Sequence, residues 1–278
     1  MKEPSIDAVA IATPISTHFK IARDALLQGK HVLIEKTLVS SSSEAERLID
    51  IADKAGLIIM VDHTFIYTGA VRKMKEIIEN NQLGDLYYFD SVRVNLGLFR
   101  HDVNVLWDLA PHDISIMHYI MGKKALAVSA IGACHAGTRL ENIAYITVFF
   151  DNPLIAHIHV NWLAPVKIRK TLVCGSKQMI VYDDTEPSEK VKVYDAGVII
   201  DAAPEEIYQT LVTYRTGDMY APRLDPNEAL NVECKHFIDC IQSKRKPITD
   251  GEAGLQVLRV LEAAQKSINS SGKKIKLA

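Results

Sequence analysis

The chain has 278 residues, 48% hydrophobic and 24% charged, with a formal net charge of −2 at pH 7. That length suits one large or two modest domains, and the composition excludes a disordered chain and gives no support for a polyphosphate-binding surface. No apolar run is long enough to span a bilayer and no signal peptide is visible; four cysteines (Cys134, Cys174, Cys234, Cys240) without CxxC spacing fit a reduced, cytoplasmic protein.

The first quarter alternates strands with helices. Ile6–Ala12 is β-rich and ends at Thr13-Pro14. Ser16-Thr17 can cap a helix whose apolar face carries Phe19, Ala22, Ala25 and Leu26 and which Gly29 ends. Val32–Ile34 reads as the next strand. Ser41 with Glu44 has the capping-box spacing, and the helix that follows carries Leu48, Ile51, Ala52 and Ala55 before Gly56. Leu57–Val61 is a third, fully apolar strand. Continuous apolar strands separated by helices predict a parallel sheet covered on both faces.

Beyond residue 64 the pattern changes. A helix fits Val71–Asn80, a long strand Leu86–Asn95, and a second helix roughly Val105–Ile120. Pro111 lies inside that helix and would kink its interior, so the helix start can equally be placed near Pro111. Closely spaced strands follow at Ala125–Ala133, Ile143–Phe150, Leu154–Leu163, Lys170–Cys174, Met179–Tyr182 and Lys190–Tyr194, with short turns between, which predicts a mainly antiparallel sheet. Asp201–Leu224 is the least regular stretch and reads as a long loop. Helices Asn227–Ile241 and Glu252–Asn269 end the chain. The expected fold class is α/β, a partial Rossmann sheet over residues 1–64, followed by an α+β domain with an open antiparallel sheet over 65–278, the last helix packing back on the first part.

Chemistry is marked at strand ends. The run Lys30-His31-Val32-Leu33-Ile34 stops at adjacent charges, Glu35 and Lys36. In open α/β sheets ligands bind beyond the carboxyl ends of the strands; the alternative is that the pair marks where the chain reaches water. Three segments then carry a resemblance: TPxxxHxxxAxxALxxGKHVxxEK from Thr13 to Lys36, DHTFIYTGAVRKMKEII from Asp62 to Ile78, and NVLWDLAPHDISI from Asn104 to Ile116. Together, in this order, they resemble the Gfo/Idh/MocA family of NAD(P)-dependent sugar and inositol dehydrogenases, and WDLAPHD is similar to the segment of nucleotide-sugar 3-dehydrogenases.

The resemblance implies a Rossmann domain, an open-sheet domain, NAD or NADP as cofactor, and a sugar or nucleotide-sugar substrate. It makes Glu35 and Lys36 the EKP motif, with the lysine beside nicotinamide and substrate; Asp108 and His112 the DxxxH pair, with the histidine as acid/base; and Thr13, Pro14 and His18 the lining of the dinucleotide. The chemistry agrees. Oxidising a secondary alcohol needs a hydride acceptor, which no side chain provides, and a base, which histidine suits. Residues four apart on a helix share a face, so Asp108 could orient His112, and Lys36 could stabilise an alkoxide.

Two departures stand out. The chain has no GxGxxG, whose glycines bring backbone against pyrophosphate. The resemblance sets Met1 just before the fourth Rossmann strand, which predicts a fragment of a longer protein or an apolar edge at Val9-Ala10-Ile11 that something else covers, and weak or absent NAD binding. Thr37 replaces the motif's proline, and the cost of a cis bond before a non-proline, about 2.5–4 kcal/mol, predicts a trans Lys36–Thr37 bond.

Other candidates have plain alternatives. His63 at a strand end is a substrate-side candidate or a cap. Lys167 and Arg169 could pair with phosphate or carboxylate or sit at a solvated hairpin end. Asn95, Asn104 and Tyr145 could contact sugar hydroxyls. His157 and His159 share a strand face, but without a third ligand no metal is expected. The open sheet face predicts a homodimer or homotetramer. No nucleic-acid or membrane partner is expected. The rival readings are a non-catalytic interaction protein built on a remnant of this fold, and a reductase of another carbonyl or imine.

Overall fold

The computed structural model describes residues 3–97, 99–151, 153–201 and 211–277. Strands β1 (Ala8–Ile11), β2 (His31–Glu35) and β3 (Ile59–Asp62) form a parallel sheet in that order. Val32, Ile34, Met60 and Val61 are fully buried; a strand covered on both faces needs apolar residues at consecutive positions. Helix α1 (Ile15–Leu27) starts directly after Pro14, without the side-chain cap expected from Ser16 and Thr17. The Thr17 hydroxyl instead donates to the Pro14 carbonyl at 2.7 Å. Helix α2 (Ser42–Ala55) has the expected cap: Ser41 Oγ accepts from the Glu44 amide, and Gly56 ends the helix at φ 64°, where a side chain would be strained. Among the described residues β1 pairs on one edge only.

A 3₁₀ turn (Thr64–Tyr67) leads into α3 (Gly69–Glu79), β4 (Leu86–Leu96) and α4 (Val105–Met121). Then follow β5 (Ala127–Ala133), β6 (Ile143–Phe149), β7 (Ile155–Asn161), β8 (Leu163–Gly175), β9 (Met179–Asp183), β10 (Val191–Asp201), β11 (Leu211–Tyr220), α5 (Ala229–Ser243), α6 (Gly251–Ile268) and β12 (Ile275–Lys276). The second sheet has the order β11-β10-β9-β8-β4-β7-β6-β5-β12 and is antiparallel except for the parallel pair β4–β7. That pair is parallel because the chain between them includes α4, the kind of crossover parallel neighbours require. Phe89, Ser91 and Arg93 of β4 face inward with Ala156, Ile158 and Val160 of β7, under α4. Tyr88, Asp90, His157, His159 and Tyr145 alternate onto the other face, which is half-buried to exposed.

Helix α6 joins the two regions. Leu255 and Leu258 enter the core of the small sheet, while Val257, Val260, Leu261 and Ala264 enter that of the large one. Its Glu262 also accepts from the amide and hydroxyl of Ser42 at the start of α2, both at 2.7 Å, a carboxylate at a helix N-terminus.

Three expectations are corrected and one alternative is settled. The Lys36–Thr37 bond is cis. The trans expectation weighed the intrinsic cost alone; in the fold Thr37 is 3% exposed, and the carbonyls of Thr37 and Leu38 face His18 Nδ1 at 3.0 and 3.3 Å. The alternative start of helix α4 near Pro111 is not taken: the helix begins at Val105, the first of the two expected starts, capped by Asn104, and Pro111 lies in its interior. The stretch read as a loop contains β11; residues 202–210 of it lie outside the described residues. This edge strand carries Arg215, Gly217 and Asp218, and polar edge residues erase the apolar alternation a strand is read by. Lys167 and Arg169 lie inside β8, which is longer than expected, and not at a hairpin end.

Candidate active site

The carboxyl ends of β1, β2 and β3 deliver Thr13-Pro14, Glu35-Lys36 and Asp62-His63 to one edge of the small sheet. Helix α4 of the second region comes up against that edge. Lys36 Nζ donates to the Asp108 carbonyl at 2.8 Å and stands 3.7 Å from Asp108 Oδ1. The carboxylate of Asp108 also accepts from Trp162 Nε1 at 3.2 Å and from Arg100 at 3.4 Å. Thus two hydrogen bonds and the charge of Lys36 hold the carboxylate, and His112 contributes to neither.

His112 lies one turn along α4 on the same face. Its Nδ1 is buried without a partner, so Asp108 does not orient the ring by a direct hydrogen bond. Packing does: the Phe65 ring meets it edge-on, with centroids 5.1 Å apart. Phe65 in turn lies under the guanidinium groups of Arg93, at 4.6 Å, and Arg169, at 5.8 Å. Burial, and after it the cations Arg93 and Lys36, hold the His112 pKa well below its ordinary value. The imidazole is therefore neutral, its proton-accepting form, while burial and the two cations weaken it as a base.

Beneath α4, Arg93 and Asp113 form a buried pair at 2.6 Å, and Asp113 accepts a further bond from the Ser91 hydroxyl at 2.7 Å. Arg169 pairs with Asp184 at 3.1 Å. Lys167 is exposed and has no ion pair among the described residues. His63 is 2% exposed with both ring nitrogens buried and unpartnered, and burial lowers its pKa to about 4. It offers no accessible polar atom, so it underlies the site and does not line it. His18, also buried, faces the Thr13 carbonyl with Nε2 at 2.7 Å and those of Thr37 and Leu38 with Nδ1; it clasps the two strand-end loops together and does not line a crevice. Thr13 and Pro14 are exposed at the mouth.

Of the residues singled out by sequence, Lys36, Asp108 and His112 come together, with Glu35 beside them. Asn104 is spent as the α4 cap and on Glu141 and Gln265; Tyr145 lies on the open sheet face, stacked on His159 at 4.4 Å. His157 faces Asp90 at 3.4 Å. Phe65, Arg93, Arg100 and Asp113 were missed. Phe65 and Asp113 carry a signal, lying inside the second and third motifs; Arg93 and Arg100 act through carboxylates of α4 that nothing in the sequence marks as theirs. Two cavities, of about 500 and 620 Å³, lie away from these residues, lined respectively by His118, Lys123 and Arg259 and by His31, Arg245 and Asp250.

Known proteins sharpen this picture. The UDP-N-acetylglucosamine 3-dehydrogenase of Acidithiobacillus ferrooxidans is 26% identical over 91% of this chain and 76% of its own length. The myo-inositol 2-dehydrogenase of Thermotoga maritima is 25% identical over 96% of this chain and 79% of its own. The crystal structure of an NAD-binding oxidoreductase from Klebsiella pneumoniae, 20% identical, superposes with a TM-score of 0.82, covering all of this chain and 81% of that one. Residues 1–63 match the NAD-binding Rossmann fold of an oxidoreductase family, and residues 75–277 match that family's C-terminal alpha/beta domain. The chain belongs to the Gfo/Idh/MocA oxidoreductase family.

Proposed function

We propose that this protein oxidises a secondary hydroxyl of a sugar or nucleotide sugar, with C3 of a nucleotide sugar as the favoured position, and passes hydride to NAD or NADP. The observation that carries the reading is the convergence of Lys36, Asp108 and His112 at the carboxyl end of a Rossmann-like sheet. The named relatives, one acting on a nucleotide sugar and one on an inositol, support it.

The residues present suit the nicotinamide end of a dinucleotide. Exposed Thr13 and Pro14 and half-buried Glu35 and Lys36 lie where open α/β sheets hold such ligands; a nicotinamide bound there supplies the hydride acceptor. The sequence has no glycine-rich turn for the pyrophosphate, so weak binding by this chain remains the expectation. Lys36, held by the Asp108 carbonyl, places a positive charge beside the hydroxyl and stabilises the oxyanion as the proton leaves. Neutral His112 takes that proton. Asp108, anchored by Trp162 and Arg100, keeps Lys36 in place. Arg169, within reach of Phe65, is the candidate contact for an anionic part of the substrate.

The protein assembles through the open face of the large sheet, where Tyr88, Tyr145 and Ile155 are exposed; light scattering during gel filtration tests this, with a monomer as the contrary result.

The test of function is oxidation of UDP-sugars, hexoses and inositols with NAD⁺ or NADP⁺, at concentrations set by a prior NADH and NADPH titration. Turnover is expected on one class of substrate, falling about 10²–10⁴-fold in His112→Asn and comparably in Lys36→Met. Turnover that both variants keep refutes the reading, and so does absence of turnover across the panel under conditions where the titration shows the nicotinamide bound.

A further inference from the structure

Glu35 closes β2, Asp62 closes β3, and the two are register partners across the parallel pair. From the other side α5 brings Glu233, which is 0% exposed. Asp62 is within hydrogen-bonding reach of both glutamates. Its Oδ1 already accepts from the amide and hydroxyl of Thr64. Neither oxygen of an ionised Glu233 has a donor. Asp62 thus lies between Glu35, its register partner, and the buried Glu233, and neighbouring carboxylates cannot all be charged away from water, because each raises the cost of ionising the next. A cation is one remedy, yet among the described residues no group of three His, Cys, Asp or Glu is arranged to hold a metal. A proton is the other.

The proton does not go to histidine. His63 is next to Asp62, buried and unpartnered, and its burial outweighs the pull of that carboxylate, so it stays neutral. The remaining groups facing the cluster are Lys36 beside Glu35, and Thr64, Tyr67 and Cys234 around Asp62 and Glu233.

We propose that Glu35, Asp62 and Glu233 form one proton-sharing carboxyl chain, with Glu233 as its buried protonated end and Glu35 as its outer end, so that Glu233 acts as a positioning residue for Lys36. A shared proton reduces the negative charge behind Lys36 and leaves its ammonium to face Asp108 and the open edge of the site. The consequence for Lys36 rests on the role proposed for it above; the proton sharing does not.

Burial and the neighbouring Asp62 raise Glu233 to about 9 and Glu35 to about 7. The fold thus holds protons that the unfolded chain releases from about pH 4.5 upward. Stability from these groups is fully present at low pH and is lost as pH rises through 7 and 9. The lowered histidines, His31, His63, His112, His118, His159 and His236, act oppositely: their contribution falls as pH drops below about 6.5 and is constant above it. A decline between about pH 6.5 and 8, below the range where the raised thiols of Cys174, Cys234 and Cys240 add a decline of the same sign, therefore reports the carboxyl chain.

The experiment needs no substrate. Infrared spectra of the purified chain in D₂O at neutral pH are expected to show the C=O stretch of a protonated carboxylic acid, and Glu233→Gln to lose it. Thermal unfolding of the same two proteins from about pH 6.5 to 8 is expected to show a falling Tm in the wild type and a flatter profile in the variant. Absence of the acid band in the wild type refutes the proposal, and so does a band and slope that Glu233→Gln leaves unchanged. Should Glu233→Gln fail to fold, Asp62→Asn decides. Its amide donates to both glutamates, so the band must disappear at a lower pH than in the wild type; a band with unaltered pH dependence counts against proton sharing. None of these readouts depends on turnover, so they stand apart from the test of function.

Discussion

In the small sheet each strand has four or five residues and is covered by α1, α2 and α6 on one face and by α5 on the other, whereas strands of the large sheet reach 13 residues and carry helices on one face only. The two regions also handle buried charge differently. Beneath α4 the large sheet pairs a cation with an anion, Arg93 with Asp113, and completes the pair with Ser91. The small sheet gathers acids of one sign at its carboxyl edge, beside a single lysine. A matched pair fixes a helix on a sheet; a crowd of like groups stores a proton and makes the edge sensitive to pH. The candidate site lies where one arrangement meets the other.

The most damaging way to break this contrast is to remove half of the matched pair. Asp113→Ala leaves the Arg93 guanidinium buried and the Ser91 hydroxyl without its acceptor. An uncompensated buried charge costs about 3–5 kcal/mol, measured as a lower midpoint in urea unfolding. Replacing both members with apolar residues of similar volume should recover most of that loss. If Asp113→Ala costs less than about 1 kcal/mol, the level expected of an exposed pair, the pair is not the anchor that the contrast requires.

A subtler substitution tests whether the two regions fold as one. Gly254 of α6 lies against the small sheet: a Cβ there would stand 2.8 Å from Val61 Cγ2 and 3.0 Å from Leu38 Cδ2. Alanine gains up to about 1 kcal/mol of helix propensity, but overpacking of a tight core costs about 1–3 kcal/mol. Gly254→Ala should therefore be a net loss. Hydrogen exchange should show β2 and β3 losing protection first, with β5–β7 following only if α6 transmits the strain. Equal loss in both sheets would mean that the contrast is one of chemistry alone and not of stability.

What the sequence revealed divides along the same line. The small region is built from local signals: apolar runs that end at Glu35 and Asp62, the Ser41–Glu44 cap, and Gly56 in the left-handed region. Lys36, Asp108 and His112 were legible because motifs carry them. The large region depends on pairings the sequence does not display, among them Arg93 with Asp113, Trp162 with Asp108, and β11 with β10. For His18 in α1 and His63 at the end of β3 the sequence placed the backbone but not the ring: His18 is spent on the carbonyls of the loop carrying Thr37, and His63 is enclosed by packing. The proline in α4 left two starts open because a fixed φ argues equally for a helix start and a tolerated interior; the Asn104 cap, with its own partners in Glu141 and Gln265, decides for Val105.

The smallest expected effect sharpens the contrast from the local side. Ser41 accepts from the Glu44 amide at 3.3 Å, and the Glu44 carboxylate accepts from the Ser40 amide at 3.2 Å, so the cap of α2 is closed within five residues. Losing such a cap costs about 1 kcal/mol. Asn104 does the same for α4 but also donates to Glu141 and Gln265, which joins the helix to two distant elements. Asn104→Ala strands those acceptors as well, at about 1–3 kcal/mol for groups left without a partner, and should exceed Ser41→Ala when both are measured by urea unfolding under the same conditions. Equal costs would mean that the distant partners of Asn104 contribute nothing. The non-local wiring of the large region would then be confined to its buried ion pair.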